Sequence, residues 1–144
     1  MTSYIIVKYI HFLSIFGMLS FLVAELVMVK KSLTRSQISL IGKVDGLYGL
    51  ASVLVVGAGF MLWFGVGKPA AFYNNPIFHV KVGLALVVGL ISIAPTVFYI
   101  KNRKGAPNDI VEVPARIRKL IILQLTVLGL IPLLAVLMAN GVKL

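Results

Sequence analysis

Four apolar stretches, each about as long as a bilayer's hydrocarbon core is thick, fill most of a 144-residue chain. They run from Tyr4 to Val29, Gly46 to Val66, Ile77 to Ile100 and Leu120 to Ala139. At a helical rise of about 1.5 Å per residue, each reaches across a core roughly 30 Å thick. Hydrophobic residues make up 60% of the chain and charged ones 12%, too little polar surface to clothe four such helices in water. The pattern predicts an all-α integral membrane four-helix bundle, up-down-up-down, with no strand. The three connections hold only about 16, 10 and 19 residues, too few for a soluble domain, so residues 1–144 read as one transmembrane domain. The first span is too long for a secretory signal and carries Lys8 inside it rather than a basic region before it.

Charge sets the expected orientation. The formal net charge is +10. Ten of the 14 Lys and Arg residues sit in two connections: Lys30, Lys31, Arg35 and Lys43 after the first span, and Lys101, Arg103, Lys104, Arg116, Arg118 and Lys119 between the third and fourth. Lys8, Lys68, Lys81 and Lys143 fall at the opposite end. The positive-inside rule then turns both basic connections to the cytoplasm and leaves both termini non-cytoplasmic, as in a multi-pass protein of a bacterial inner membrane. In a soluble chain this charge would suggest nucleic acid. Here it fits anionic lipid headgroups as the partner, each surface cation adding about 1 kcal/mol.

Local signals mark the helix ends. Asn75 followed by Pro76 reads as an N-cap with proline at the first helical position, and Pro114 would open the fourth helix in the same way. The second helix is expected to begin early, near Ser36, because Ile38, Leu40, Ile41 and Val44 recur at helical spacing. Phe72, Tyr73 and Trp63 fall where an outer aromatic belt belongs, and Pro95 and Pro132 should bend their spans. Gly46, Gly49, Gly57 and Gly59, with Gly83 and Gly89, are expected at close helix contacts within the bundle.

An ionisable group inside hydrocarbon needs a partner or a purpose. His11, Ser14, Met18, Leu22 and Glu25 recur every three or four residues and make one stripe, expected to face the bundle interior. Glu25 and Asp45 lie at similar depth, with Gln124 near them, and Arg35, Lys43 or the basic start of the fourth helix are the cations available to them. The expected result is an ion-paired, hydrogen-bonded network joining the first, second and fourth helices. At the other end His11 and His79, the only histidines, would supply two axial imidazoles for a haem b, with Lys8, Lys68 and Lys81 for its propionates. Depth counts against that pairing: His11 stands about five residues deeper into its span than His79, or about 7 Å. His79 and Lys81, two positions apart, point about 200° apart on a helix, so at most one faces inward.

The run Phe72-Tyr73-Asn74-Asn75-Pro76-Ile77-Phe78-His79-Val80-Lys81, continued by Gly89-Leu90-Ile91-Ser92-Ile93-Ala94-Pro95-Thr96, resembles the bacterial membrane-protein family filed as domain of unknown function 2214. Tyr9-Ile10-His11-Phe12, Ala24-Glu25-Leu26, Asp45 to Ala51, Ile131 to Ala135 and Met138 to Gly141 agree with it. The resemblance implies a small four-span bacterial inner-membrane protein and supplies no reaction. That family is in turn distantly similar to copper-resistance D proteins and membrane protoporphyrinogen oxidases, which implies weight on His11 and Lys81. The family pattern places tryptophan where His79 stands, which implies an interface anchor there; haem through His11 alone, or with Met18, stays open.

No Gly-rich phosphate loop, HExxH motif, nucleophile elbow or cysteine occurs in the sequence, which argues against a hydrolase or nucleotide enzyme and leaves no catalytic residue to name. Three classes stay open. One is a structural or accessory subunit, in a homo-oligomer or with a membrane-protein partner. The others are a haem b or copper-linked redox protein using His11, and a small transporter or channel.

Overall fold

In the computed structural model, which describes residues 2–65 and 76–141, four long helices carry the chain: α1 (Thr2–Met28), α2 (Arg35–Phe64), α3 (Pro76–Asn102) and α4 (Ala115–Ala139). All four are long and apolar enough to cross a membrane. Each buries one narrow stripe and leaves the rest of its apolar surface outward. On α1 the stripe is Val7, Ser14, Met18, Leu22 and Glu25; on α4 it is Ile117, Ile121, Gln124 and Leu128, with Met138 further on. Outward Phe16, Val27, Val53, Phe64, Leu86 and Leu90 are each more than 60% exposed, which suits acyl chains and not water.

The closest helix pairs are α1 with α2 and α3 with α4. Along the first pair numbers rise on one helix as they fall on the other: His11 meets Val55 and Gly17 meets Ala51. The same holds between α2 and α3, where Asp45 meets Thr96 and Trp63 meets Phe78. Leu22, Ile38, Ile41, Tyr99, Ile117 and Ile121 centre the main core at the end that carries the basic connections. A smaller cluster of Ile77, Phe78 and Met138, with Trp63 against it, closes the other end.

The expectation of no strand is overturned. Ser32–Thr34 (β1) and Ile110–Glu112 (β2) pair antiparallel, with Ser32 opposite Glu112, Leu33 opposite Val111 and Thr34 opposite Ile110. Both basic connections leave the bundle at the same end, so their amides and carbonyls can satisfy each other. Val113 N–H to Lys31 O at 2.8 Å and Arg35 N–H to Asp109 O at 3.0 Å extend the pairing at its two ends. Leu33, 3% exposed, anchors the ribbon in the core.

Two arginines from the basic segments act as helix caps as well as surface charge. Arg35 Nη1 donates to the Asn102 carbonyl at 2.7 Å, at the end of α3. Arg118 Nη1 lies 3.0 Å from the Leu26 carbonyl and 3.2 Å from that of Val29, at the end of α1. Both occupy positions where a helix leaves carbonyls without amide donors and where a cation favours the dipole. At the start of α2, Thr34 Oγ1 accepts from Gln37 N–H at 3.2 Å while Gln37 Oε1 accepts from Thr34 N–H at 2.9 Å, a reciprocal capping box. Helix α2 thus begins one residue before the expected Ser36. Pro114 is the N-cap of α4 and not its first helical residue. Pro76 opens α3; its expected cap Asn75 lies outside the described residues, as do Lys68, Phe72, Tyr73 and Lys143.

Candidate functional site

The buried polar side chains gather at the end of the bundle nearest the ribbon. Glu25 of α1 and Gln124 of α4 are each 1% exposed and Asp45 of α2 is 6% exposed. The Glu25 and Asp45 carboxyl groups face each other within hydrogen-bonding reach. Thr96 Oγ1 of α3 lies 2.6 Å from Asp45 Oδ2, and the Tyr48 hydroxyl donates to Gln124 Oε1 at 3.0 Å. All four helices therefore contribute, whereas the sequence pointed to three. The missed members are Tyr48, Thr96 and Tyr99. Tyr48 was findable, because it stands one turn beyond Asp45 on the same face of α2.

The expected cations do not reach the carboxylates. Arg35 pairs with Asp109, Nε to Oδ2 at 3.4 Å, and this is the one ion pair among the described residues. Arg118 is turned to the α1 carbonyls and Lys43 is exposed. The ion-pair part of the expectation is thus replaced by neutral hydrogen-bonding groups, because the arginines find helix-end carbonyls first. A cleft of about 200 Å³ between α2 and α3 reaches this cluster, with Asp45, Thr96 and Tyr99 on its wall and Arg103 beside them.

At the opposite end, His11 is partly buried on α1, and its Nδ1 lies 3.0 Å from the Val55 carbonyl. The ring rests on the bare backbone of Gly59, where an added Cβ would stand 3.4 Å from His11 Cε1. Lys81 is also partly buried and lies within electrostatic range of His11, its Nζ 5.8 Å from the centre of the Phe78 ring. His79 is exposed, its ring 6.3 Å from that of Trp63 and 5.6 Å from that of Phe78. Of the two residues placed on opposite faces, Lys81 is thus the inward one. Lys8 Nζ donates to the Tyr4 hydroxyl at 3.1 Å. The structure partly buries His11 and Lys81 and leaves His79 exposed. His11 and an outward His79 do not make the paired-imidazole site a haem b would need.

Glycine placement also departs from expectation. Gly59 packs against His11 and Gly42 against Tyr99, but Gly46, Gly49 and Gly57 of α2, and Gly83 and Gly89 of α3, have nothing within 4 Å of an added Cβ. Gly49, Gly57 and Gly89 are exposed, Gly83 is half-buried, and Gly46 borders the cleft between α2 and α3.

Among the described residues no group of three or more His, Cys, Asp or Glu side chains could hold a metal ion. Comparison with curated proteins gives no match. Comparison with solved structures gives none either. A family model described as "Predicted membrane protein (DUF2214)" matches residues 3–143, nearly the whole of the chain whose four apolar helices and buried polar cluster are described above. The chain therefore belongs to the DUF2214 family of predicted membrane proteins.

Proposed function

We propose that the protein is a structural or accessory subunit of a bacterial inner-membrane assembly, associating through the glycine face of α2. The observation that carries this reading is the outward turn of Gly49 and Gly57. In a membrane, apolar side chains gain nothing by leaving lipid for one another, so helices associate where small residues let backbones approach. A spacing of eight residues puts these glycines along one side of α2. Beside them Ser52, Val53, Val56 and Gly57 line a shallow groove. A transmembrane helix from a second copy or another membrane protein fits such a surface. The basic connections, with the ribbon between them, face the cytoplasm and its anionic headgroups in this reading.

Light scattering of the protein in mild detergent or nanodiscs tests it. The expected wild-type result is an assembly larger than one chain, reduced to a single chain by Gly49→Leu with helicity retained. A single-chain wild type in both environments, with no co-purifying membrane protein, overturns the reading.

A further inference from the structure

Two oxygens buried in the polar cluster lack partners among the described residues: Glu25 Oε1 and the Tyr99 hydroxyl. Each belongs to a residue only 1% exposed. The Tyr99 hydroxyl lies within electrostatic range of both Glu25 and Asp45, and the two carboxyl groups lie within reach of each other. No Lys, Arg or His of the described residues forms an ion pair with either acid. Two carboxylates cannot share a dry interior unless a cation joins them.

The surroundings select which cation. Calcium and magnesium ions take about six or more oxygen ligands, and no group of three or more His, Cys, Asp or Glu side chains that could hold a metal ion is present among the described residues. A proton needs only the carboxyl oxygen that carries it and one acceptor, and it leaves a single negative charge on the pair. Thr96 adds an independent sign: its single hydroxyl hydrogen faces two acceptors, Asp45 Oδ2 at 2.6 Å and the Ser92 carbonyl at 3.0 Å. Both contacts are satisfied if Asp45 donates to Thr96 and Thr96 donates to Ser92.

We propose that the Glu25–Asp45 pair is a proton-binding site, filled and emptied through the cleft between α2 and α3. Asp45 forms part of the cleft wall, and Gly46 at its side has open space where a side chain would stand. The titratable groups facing the pair are Tyr48 from α2 and Tyr99 from α3, with the charged Arg103, just beyond α3, on the cleft wall; α4 contributes the neutral Gln124. This goes beyond the accessory reading and does not depend on it.

Dicyclohexylcarbodiimide, which adds to a protonated carboxyl group in apolar surroundings, tests the proposal on the full chain in membrane vesicles, with labelled peptides read by mass spectrometry. Expected is modification of Glu25 or Asp45 at a rate that falls about tenfold per pH unit once the site empties. Gly46→Leu, which leaves both acids in place, should slow labelling several-fold by filling the cleft. Absence of label on both acids across the pH range in which the helices persist, or labelling indifferent to pH, overturns the proton site. Labelling unchanged in Gly46→Leu overturns the route. Protection by sodium at fixed pH overturns the choice of proton as the ligand. Retained helicity of Gly46→Leu by circular dichroism checks that altered labelling does not follow from misfolding.

Discussion

The Tyr48 hydroxyl donates to Gln124 Oε1 at 3.0 Å, joining α2 to α4 across 76 positions of sequence. Both side chains are buried, so neither has water as an alternative partner. Tyr48→Phe should cost about 1 kcal/mol, within the range for interhelical hydrogen bonds in membranes. Tyr48→Phe combined with Gln124→Leu should cost less than the two changes summed, because no orphaned amide is left. Unfolding in mixed micelles of increasing denaturing detergent measures both.

Arg118 caps α1 by serving two carbonyls from one nitrogen. Arg118→Ala should destabilise by about 1 to 2 kcal/mol, since carbonyls at a helix end lose a charged donor. Hydrogen exchange near Val29 should rise before exchange elsewhere on α1. Arg118→Lys should recover only part of the loss, because an ammonium is the more strongly hydrated cation and gives up more on leaving water.

Glycines in two settings should respond oppositely. Gly105 has φ +129°, and an added Cβ would lie 2.7 Å from Arg35 Nε. Gly105→Ala should therefore destabilise by about 1 to 3 kcal/mol, from backbone strain and displacement of the arginine that caps α3. Gly83→Ala, helical and facing open space, should stabilise the isolated chain by about 0.5 to 1 kcal/mol. Melting temperatures in detergent check the sign of each.

A chain without cysteine permits a clean cross-linking test of the ribbon. Ser32 and Glu112 stand directly opposite in the antiparallel register, the Ser32 hydroxyl 3.4 Å from Glu112 Oε1. Directly opposed antiparallel residues have Cα atoms about 4.5 to 5.5 Å apart, within the span of a disulfide. Ser32→Cys with Glu112→Cys should close under mild oxidation and run faster on a denaturing gel. Ser32→Cys with Ile110→Cys, out of register, should close much less.

The sequence made the four helices legible because hydropathy and length are local quantities, and the α1 stripe because a period of 3.6 fixes which side chains share a face. Ser14, Met18, Leu22 and Glu25 are buried together as that spacing requires. The capping box was also written locally, in Thr34 and Gln37, and went unread because the apolar rhythm starting at Ile38 outweighed it. The ribbon left little trace. Ile110 and Val111 favour extended backbone, but their partners stand about eighty residues earlier, and no local pattern encodes so distant a pairing. The glycines misled for a different reason: a small residue signals close approach, not which neighbour makes it. The cations near Glu25 misled as well, for sequence proximity does not show that Arg35 and Arg118 find helix-end carbonyls instead.

Pairing between β1 and β2 also gives assembly an order. The first hairpin can enter the bilayer as soon as α2 emerges from the ribosome, but its loop then has an open strand edge and Asn102, whose carbonyl Arg35 will cap, has not been made. Those groups are satisfied only after the polypeptide has been extended past Val113. The ribbon thus works as a clasp that shuts late, recording that the second hairpin has arrived and lies correctly against the first.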